Sequence, residues 1–303
     1  MGEAAADSRF ALRRGLATPL VGRTAELTHL LDRWEKARTG EGKVVLISGE
    51  PGIGKSRLIA ATEERLAGEA RTLYCFCSPH HANSAFYPIV AMIERIVGIK
   101  KRDGSNARLD KLQSFLREAS SDTPDIGALV SELLSIEGLR HYPTLDLSPQ
   151  ARKMRTGDAL VHLLSGLTAR QPVFMVIEDV HWVDPTTGEW LDRFIDRLRT
   201  LSVLLILSFR PELEPRWRRL AHVSELSLGR LARGEGAVIA KQIAEGKNLP
   251  REIEDQILAK SEGVPLFIEE LTKVAIESGM LVDTGDGYTL SGRLSALTVP
   301  ATL

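Results

Sequence analysis

The stretch GEPGIGKS, from Gly49 to Ser56, constrains this 303-residue chain more than any other. It has the spacing Gly-x4-Gly-Lys-Ser, which cradles phosphate only between a strand and a helix. Both flanks are present. KVVLISG (Lys43–Gly49) is a short continuous apolar run, read as a buried parallel strand, and SRLIAATEERLAG reads as a helix ending near Gly68. Glycines let backbone N–H groups approach phosphate oxygens without a Cβ in the way, and the helix N-terminus adds free donors and a favourable dipole. Lys55 would reach the β- and γ-phosphates, and the Ser56 hydroxyl would ligate Mg²⁺. Gly49, Pro51, Gly52, Ile53, Gly54, Lys55, Ser56 and the following Arg57 are therefore candidate ATP/ADP contacts. By composition alone such a match arises in about one chain in a hundred of this length, and the strand–loop–helix context makes accident rarer.

Further apolar runs alternate with helical segments. RTLYCFC (Arg71–Cys77), PVFMVIED (Pro172–Asp179), SVLLILSFR (Ser202–Arg210) and a shorter SELSL (Ser224–Leu228) read as strands. The expected fold is α/β, a parallel P-loop sheet covered by helices on both faces. Thr24 is a candidate N-cap for TAELTHLLDRWEKA, and Ser148-Pro149 and Asp184-Pro185 are N-cap and N1 pairs. The expected domains are a linker or tail over 1–20, a nucleotide-binding domain over 21–228 with a helical insertion at about 88–170, and a helical unit over 229–279. A hairpin turning at Gly285-Asp286-Gly287 then begins a further, truncated domain over 280–303, with a winged-helix element as the candidate.

Two strand ends carry chemistry. FMVIED delivers Glu178 and Asp179 to the C-terminal end of a buried strand, where open α/β sheets bind ligands. One carboxylate can hold Mg²⁺ and the other can orient or deprotonate an attacking water. Neighbouring residues on a strand point to opposite faces, so the two acids are expected to differ in role. LILSFRP puts Arg210 at the end of another buried strand, held extended by Pro211, where a guanidinium could contact a γ-phosphate.

Composition excludes other classes. Formal net charge is −1, which gives no reason to expect nucleic acid or an anionic membrane as main partner, and RPELEPRWRRL (Arg210–Leu220) reads as a solvated face. No apolar stretch approaches 18 residues, the N-terminus lacks a secretory h-region, and Ala6 fails the myristoylation pattern, so the expected compartment is the cytoplasm. Two cysteines build no disulfide framework. Cys75 and Cys77 with His80 and His81 form a candidate metal cluster, but the pattern lacks the spaced partners of a zinc site. Buried strand cysteines are the expected reading.

Taken together, PLVGRTAEL, GEPGIGKSRL, VIEDVHWVDP, LSFRPE and SEGVPLFIEEL resemble STAND-type P-loop ATPases, relatives of AAA+ proteins, over nearly the whole chain. They resemble in particular the ATPase segments of large bacterial proteins with a class III adenylate/guanylate cyclase domain before this region and TPR-like repeats after it. The two ends of the chain look like the seams of that arrangement, so an excised piece of a longer protein is expected. The resemblance implies that Val21, Gly22 and Arg23 lie near adenine, that Arg210 senses the γ-phosphate, and that Pro265 of a helical lid contacts nucleotide. Glu178 is assigned to Mg²⁺, while His181 and Trp182 are expected to act structurally. One departure stands out: many relatives end this strand in Asp-Glu, whereas here it is Glu178-Asp179, one methylene shorter at the second acid. The implied function is an ATP-gated regulatory switch with slow hydrolysis, its partners the other domains of the parent protein, with oligomerisation on activation. The alternatives are a non-hydrolysing nucleotide-bound scaffold and an AAA+ machine acting on DNA.

Overall fold

The structure is a computed structural model describing residues 19–136 and 141–291. Five strands, β1 (Lys43–Ser48), β2 (Arg71–Phe76), β3 (Val173–Glu178), β4 (Val203–Phe209) and β5 (Val223–Ser227), form one parallel sheet in the order β2-β3-β4-β1-β5. This is the α/β P-loop architecture expected from the apolar runs. Every strand ends on the same edge, so the residues after β1, β3 and β4 converge there.

The pleat sorts side chains between two cores. Val44, Leu46, Met175, Ile177, Leu205 and Leu207 belong to one, while Val45, Ile47, Phe174, Val176, Leu204 and Ile206 belong to the other. Helices α1 (Thr24–Ala37) and α2 (Lys55–Arg65) cover the second core through Leu30, Trp34, Leu58 and Ile59. The first is covered by α3 (Tyr87–Val97), α4 (Ser105–Glu118), α5 (Pro124–Leu133), α6 (Pro149–Thr168) and α7 (Pro185–Arg197). A third core, including Ile239, Ile257, Ile268 and Leu271, joins α8 (Arg233–Ile243), α9 (Arg251–Ser261) and α10 (Pro265–Glu277). Beyond it β6 (Leu281–Asp283) and β7 (Tyr288–Leu290) pair antiparallel around Gly285, whose φ is +98°. The tail expected at 1–20, apart from Pro19 and Leu20, lies outside the described residues, as does the continuation after the hairpin over 292–303.

Ser148 and Asp184 cap their helices as expected, accepting from Ala151 N–H and Thr187 N–H. Thr24 does not cap. The first hydrogen bond of α1 runs from Leu27 N–H to the Arg23 carbonyl, so Arg23 holds the N-cap position and Thr24 is already helical. Cys75 and Cys77 are buried, and burial pushes the Cys75 thiol up to about 12. His81 stacks on Tyr87 at 3.6 Å between ring centroids. No group of three or more His, Cys, Asp or Glu suited to a metal ion is found among the described residues, and none of their helices is long and apolar enough to cross a membrane.

Asp184 does more than cap α7. One carboxylate oxygen accepts from Thr187 N–H at 2.9 Å and from Phe86 N–H at 3.2 Å, and the other accepts from the Thr187 hydroxyl at 2.5 Å. Phe86 has φ +57°, so this bond fixes a left-handed turn at the start of α3. Asp184→Ala leaves buried donors unpaired and should destabilise the chain by roughly 2–4 kcal/mol. Asp184→Asn, which keeps one acceptor oxygen, should lose less. Denaturant melts of the two variants check the order, and equal losses would remove this account of Asp184.

Candidate functional site

The loop after β1 crosses the sheet edge in a tight turn. Gly52 and Gly54 have φ of +75° and +101°, conformations that L side chains rarely adopt. With Gly54 as N-cap, α2 opens at Lys55, and the first N–H groups of a helix have no partner within it. Lys55 Nζ donates to the carbonyls of Gly49 at 2.6 Å and Glu50 at 3.1 Å. Burial pulls its pKa below the ordinary lysine value; the charge of Asp179 opposes this, Arg210 adds to it, and Glu178 and Glu212 oppose it more weakly.

Glu178 is the last residue of β3, in phase with Phe174 and Val176, and so points toward α2. There its Oε2 accepts the Ser56 hydroxyl at 2.6 Å. Two hard oxygen donors at this separation, beside a loop built for phosphate, fit Mg²⁺, which takes one or two protein ligands and completes its shell with phosphate and water. Asp179 departs from the sequence expectation in one respect. The strand stops at Glu178, and Asp179 turns left-handed at φ 58° and ψ 44°, its N–H on the Ser208 hydroxyl at 3.3 Å. Its direction is thus set by this turn and not by strand alternation. Arg210 follows Phe209, the register partner of Ser48, so it stands beside the start of the loop.

A cavity of about 320 Å³ opens on these groups. Its polar wall is Gly52, Gly54, Lys55, Ser56, Arg57, Asp179 and Arg210, with Pro51 and Ile53 of the same loop. Val21, Arg23 and Pro265, which the resemblance assigns to the nucleotide, also line it. Gly22, Gly49 and Glu178 are not on its wall. Gly22 lies against the Glu235 carboxylate, Gly49 packs on Ile53 and Leu228, and Glu178 stands behind Ser56. Arg23 is buried, and its guanidinium donates to the Ile53 carbonyl at 3.4 Å, to the Gly229 carbonyl, and to Glu26 at 3.1 Å. It braces the loop at the cavity's edge. His181 is half-buried; burial lowers its pKa, the nearby Asp179 raises it, and Arg210 and Lys55 lower it further. Neither ring nitrogen has a hydrogen-bond partner among the described residues.

Sequence reasoning missed the rest of the wall: Pro19, Leu20, Leu231, Ile239, Leu266 and Glu269. Helical spacing from Pro265 was the one available signal, since Glu269 falls one turn later on the same face. The three-helix unit touches the loop directly. Leu266 N–H donates to the Gly52 carbonyl at 3.3 Å, and a Cβ at Gly54 would stand 4.0 Å from the Pro265 ring. Arg230 pairs with Glu50 of the loop at 3.3 Å and with Glu262 before α10.

The chain is 31% identical over 275 residues to an uncharacterised protein of Rhizobium meliloti, covering 89% of this chain and 26% of that protein. It is 21% identical to adenylate cyclase type 10 of Mus musculus, covering 84% of this chain and 16% of that protein. The chain thus spans about a quarter or less of these relatives' lengths. Among solved structures, Cdc6p of Pyrobaculum aerophilum superposes with a TM-score of 0.48 at 15% identity, covering 87% of this chain and 64% of that one. A signal transduction ATPase with numerous domains and a tetratricopeptide repeat sensor, from Pyrococcus horikoshii, gives 0.42 at 16% identity, covering 88% and 30%. Residues 19–206, more than half of the chain, match the AAA ATPase domain model, and the chain belongs to that family.

Proposed function

We propose that this chain is the ATP-binding switch segment of a larger signalling or transcription-regulating protein, of the STAND type, with slow Mg²⁺-dependent hydrolysis. The observation that carries the reading is the seam between loop and lid: the Gly52 backbone that would face phosphate also accepts the Leu266 N–H of α10. A ligand that reshapes the loop therefore acts on the three-helix unit without an intermediary.

The roles follow from the groups present. Lys55, now on two loop carbonyls, turns to the β- and γ-phosphates when they arrive. Ser56 and Glu178 hold Mg²⁺, which neutralises charge on the phosphate oxygens when bound. Asp179 orients the attacking water, and Arg210 reports on the γ-phosphate. Val21 and Arg23 bound the base side and Pro265 carries the lid contact. The cyclase-named relatives support an association with a cyclase; the order, with a cyclase-like part before this segment and helical repeats after it, in a cytoplasmic protein that oligomerises on activation, rests on the sequence resemblance. Analysis of nucleotide carried through purification, with phosphate release from the same sample, tests the reading; bound nucleotide with no turnover would favour the scaffold.

Lys55→Ala should weaken Mg-ATP binding roughly 10- to 100-fold while the protein stays folded, since among the described residues the lysine's side chain bonds only to loop carbonyls. Calorimetry on a folded variant with unchanged affinity would sink the phosphate assignment.

The two acids should separate. Asp179→Asn spares ATP binding and stops hydrolysis, whereas Glu178→Gln raises the Mg²⁺ concentration needed. Metal titrations and single-turnover assays showing the reverse pattern would exchange the assignments.

Turnover by this chain should be at or below about 10⁻² s⁻¹, the scale of a P-loop protein with its arginine in cis. Arg210→Ala should lower it further with ADP binding largely kept. Steady-state turnover of several per second would contradict the switch.

A further inference from the structure

Pro265 and Glu269 leave the same face of α10, and both line the cavity. The direction of that face is fixed at its two ends. Pro265 stands at the phosphate loop, against Gly54. Lys273, one turn beyond Glu269, lines a neighbouring opening with Pro19, Val238 and Lys241. Glu269 therefore lies between the loop and the Pro19 end of the cavity, about 6 Å along the helix from Pro265. A nucleotide that grips the loop by its phosphates and runs along this face toward Pro19 would set its sugar in this interval.

Electrostatic neighbourhood agrees. Lys55 and His181 share the influence of Asp179, Arg210 and Glu212, which marks the polyphosphate end. Glu269 is outside that group. Burial raises its pKa; of its charged neighbours, Lys273 and Arg57 favour the carboxylate and Glu270 opposes it. No hydrogen bond or ion pair engages it among the described residues. A carboxylate facing phosphate would repel it. Facing a sugar, an ionised carboxylate can only accept, and a hydroxyl supplies the donor.

Resting on the nucleotide-binding reading above, we propose that Glu269 is a specificity residue that accepts a hydrogen bond from a ribose hydroxyl, so that α10 docks on ribonucleotides in preference to deoxyribonucleotides. Acids serve the ribose in this way in dinucleotide sites of unrelated fold. A site built to bond a hydroxyl strongly rejects the analogue that lacks it, because its own polar group is then left unpaired. Placing that group on α10 also makes docking of the lid depend on the nucleoside as well as the phosphates.

The test is calorimetry on the full chain with Mg-ATP, Mg-2′-deoxy-ATP, Mg-3′-deoxy-ATP and Mg-ITP, for the wild type, Glu269→Ala and Glu269→Gln. The wild type should prefer ATP over at least one deoxy analogue by about tenfold to a hundredfold. Glu269→Ala should bind ATP at the weaker, deoxy-like level and lose the sugar preference, with its ATP-to-ITP ratio unchanged. Glu269→Gln retains one acceptor oxygen and the helix packing, so it should keep a reduced preference, and it decides the matter if the alanine variant fails to fold. Equal losses for ATP and its deoxy analogues overturn the proposal, as does a wild type that binds ATP and deoxy-ATP alike. Loss of the ATP-to-ITP distinction in place of the sugar preference assigns Glu269 to the base and also overturns it. A wild type that binds no Mg-ATP is a different result, which removes the nucleotide reading itself.

Discussion

Gly52 sits where two demands on one piece of backbone meet. Its φ of +75° gives the loop the turn a phosphate cradle needs, and its missing Cβ leaves room for α10, since a Cβ there would stand 2.8 Å from the Leu266 Cβ. Any side chain would strain the loop and push the helix off it together. Arg23 holds the same region from the other side, linking the Ile53 carbonyl in the loop to the Gly229 carbonyl at the exit from β5. The residues just before it divide between the two bodies: Leu20 packs on the core under α1 and α2, and Val21 on the core of the three-helix unit. Loop conformation, entry segment and helix docking are therefore one mechanical problem.

Charge at the site favours a metal-dependent ligand. Asp179, Glu178 and Glu212 act on Lys55 against Arg210 alone, so acids outnumber bases around that lysine. A polyphosphate brought in alone would add further negative charge to that set. The Ser56–Glu178 pair offers oxygen ligands where a divalent cation would offset it. Until then Lys55 is held by two carbonyls, which limits the desolvation cost of a half-buried ammonium.

The sheet was legible because parallel strands are apolar on both faces, and such runs as VFMVIE and VLLILSF have no rival reading at that length. Asp184-Pro185 was legible because capping is local chemistry. Its bond to Phe86, 98 residues back, was not, because nothing in either segment encodes the meeting. The Asp179 turn was hidden for a related reason: strand periodicity holds only while the strand continues, and an acid at its end tolerates the left-handed region. Resemblance put Gly22 and Arg23 near adenine; in the structure Arg23 lines the cavity but spends its donors on two carbonyls and Glu26, and Gly22 is not on the wall. Glu269 escaped notice because a carboxylate in a helical, charge-rich segment reads as a solvated face until the packing of α10 against the loop is known.

The strength of the seam bears on whether nucleotide can govern it. Arg230 reaches both Glu50 and Glu262, but all three side chains are about half exposed or more, and solvent screens such pairs so that they contribute little. Burial of Val264 in the core beside the loop adds roughly 1.5–3 kcal/mol, and the Leu266–Gly52 hydrogen bond about 1 kcal/mol. These direct contacts amount to a few kcal/mol. Ligand at a hundred times its Kd contributes about 2.7 kcal/mol to the state it binds. The two quantities are of one size. A seam several times stronger would stay docked whatever the loop held, and one much weaker would transmit nothing. On the switch reading, the balance between Val264 burial and half-exposed ion pairs is what leaves the position of the lid to the occupant of the loop.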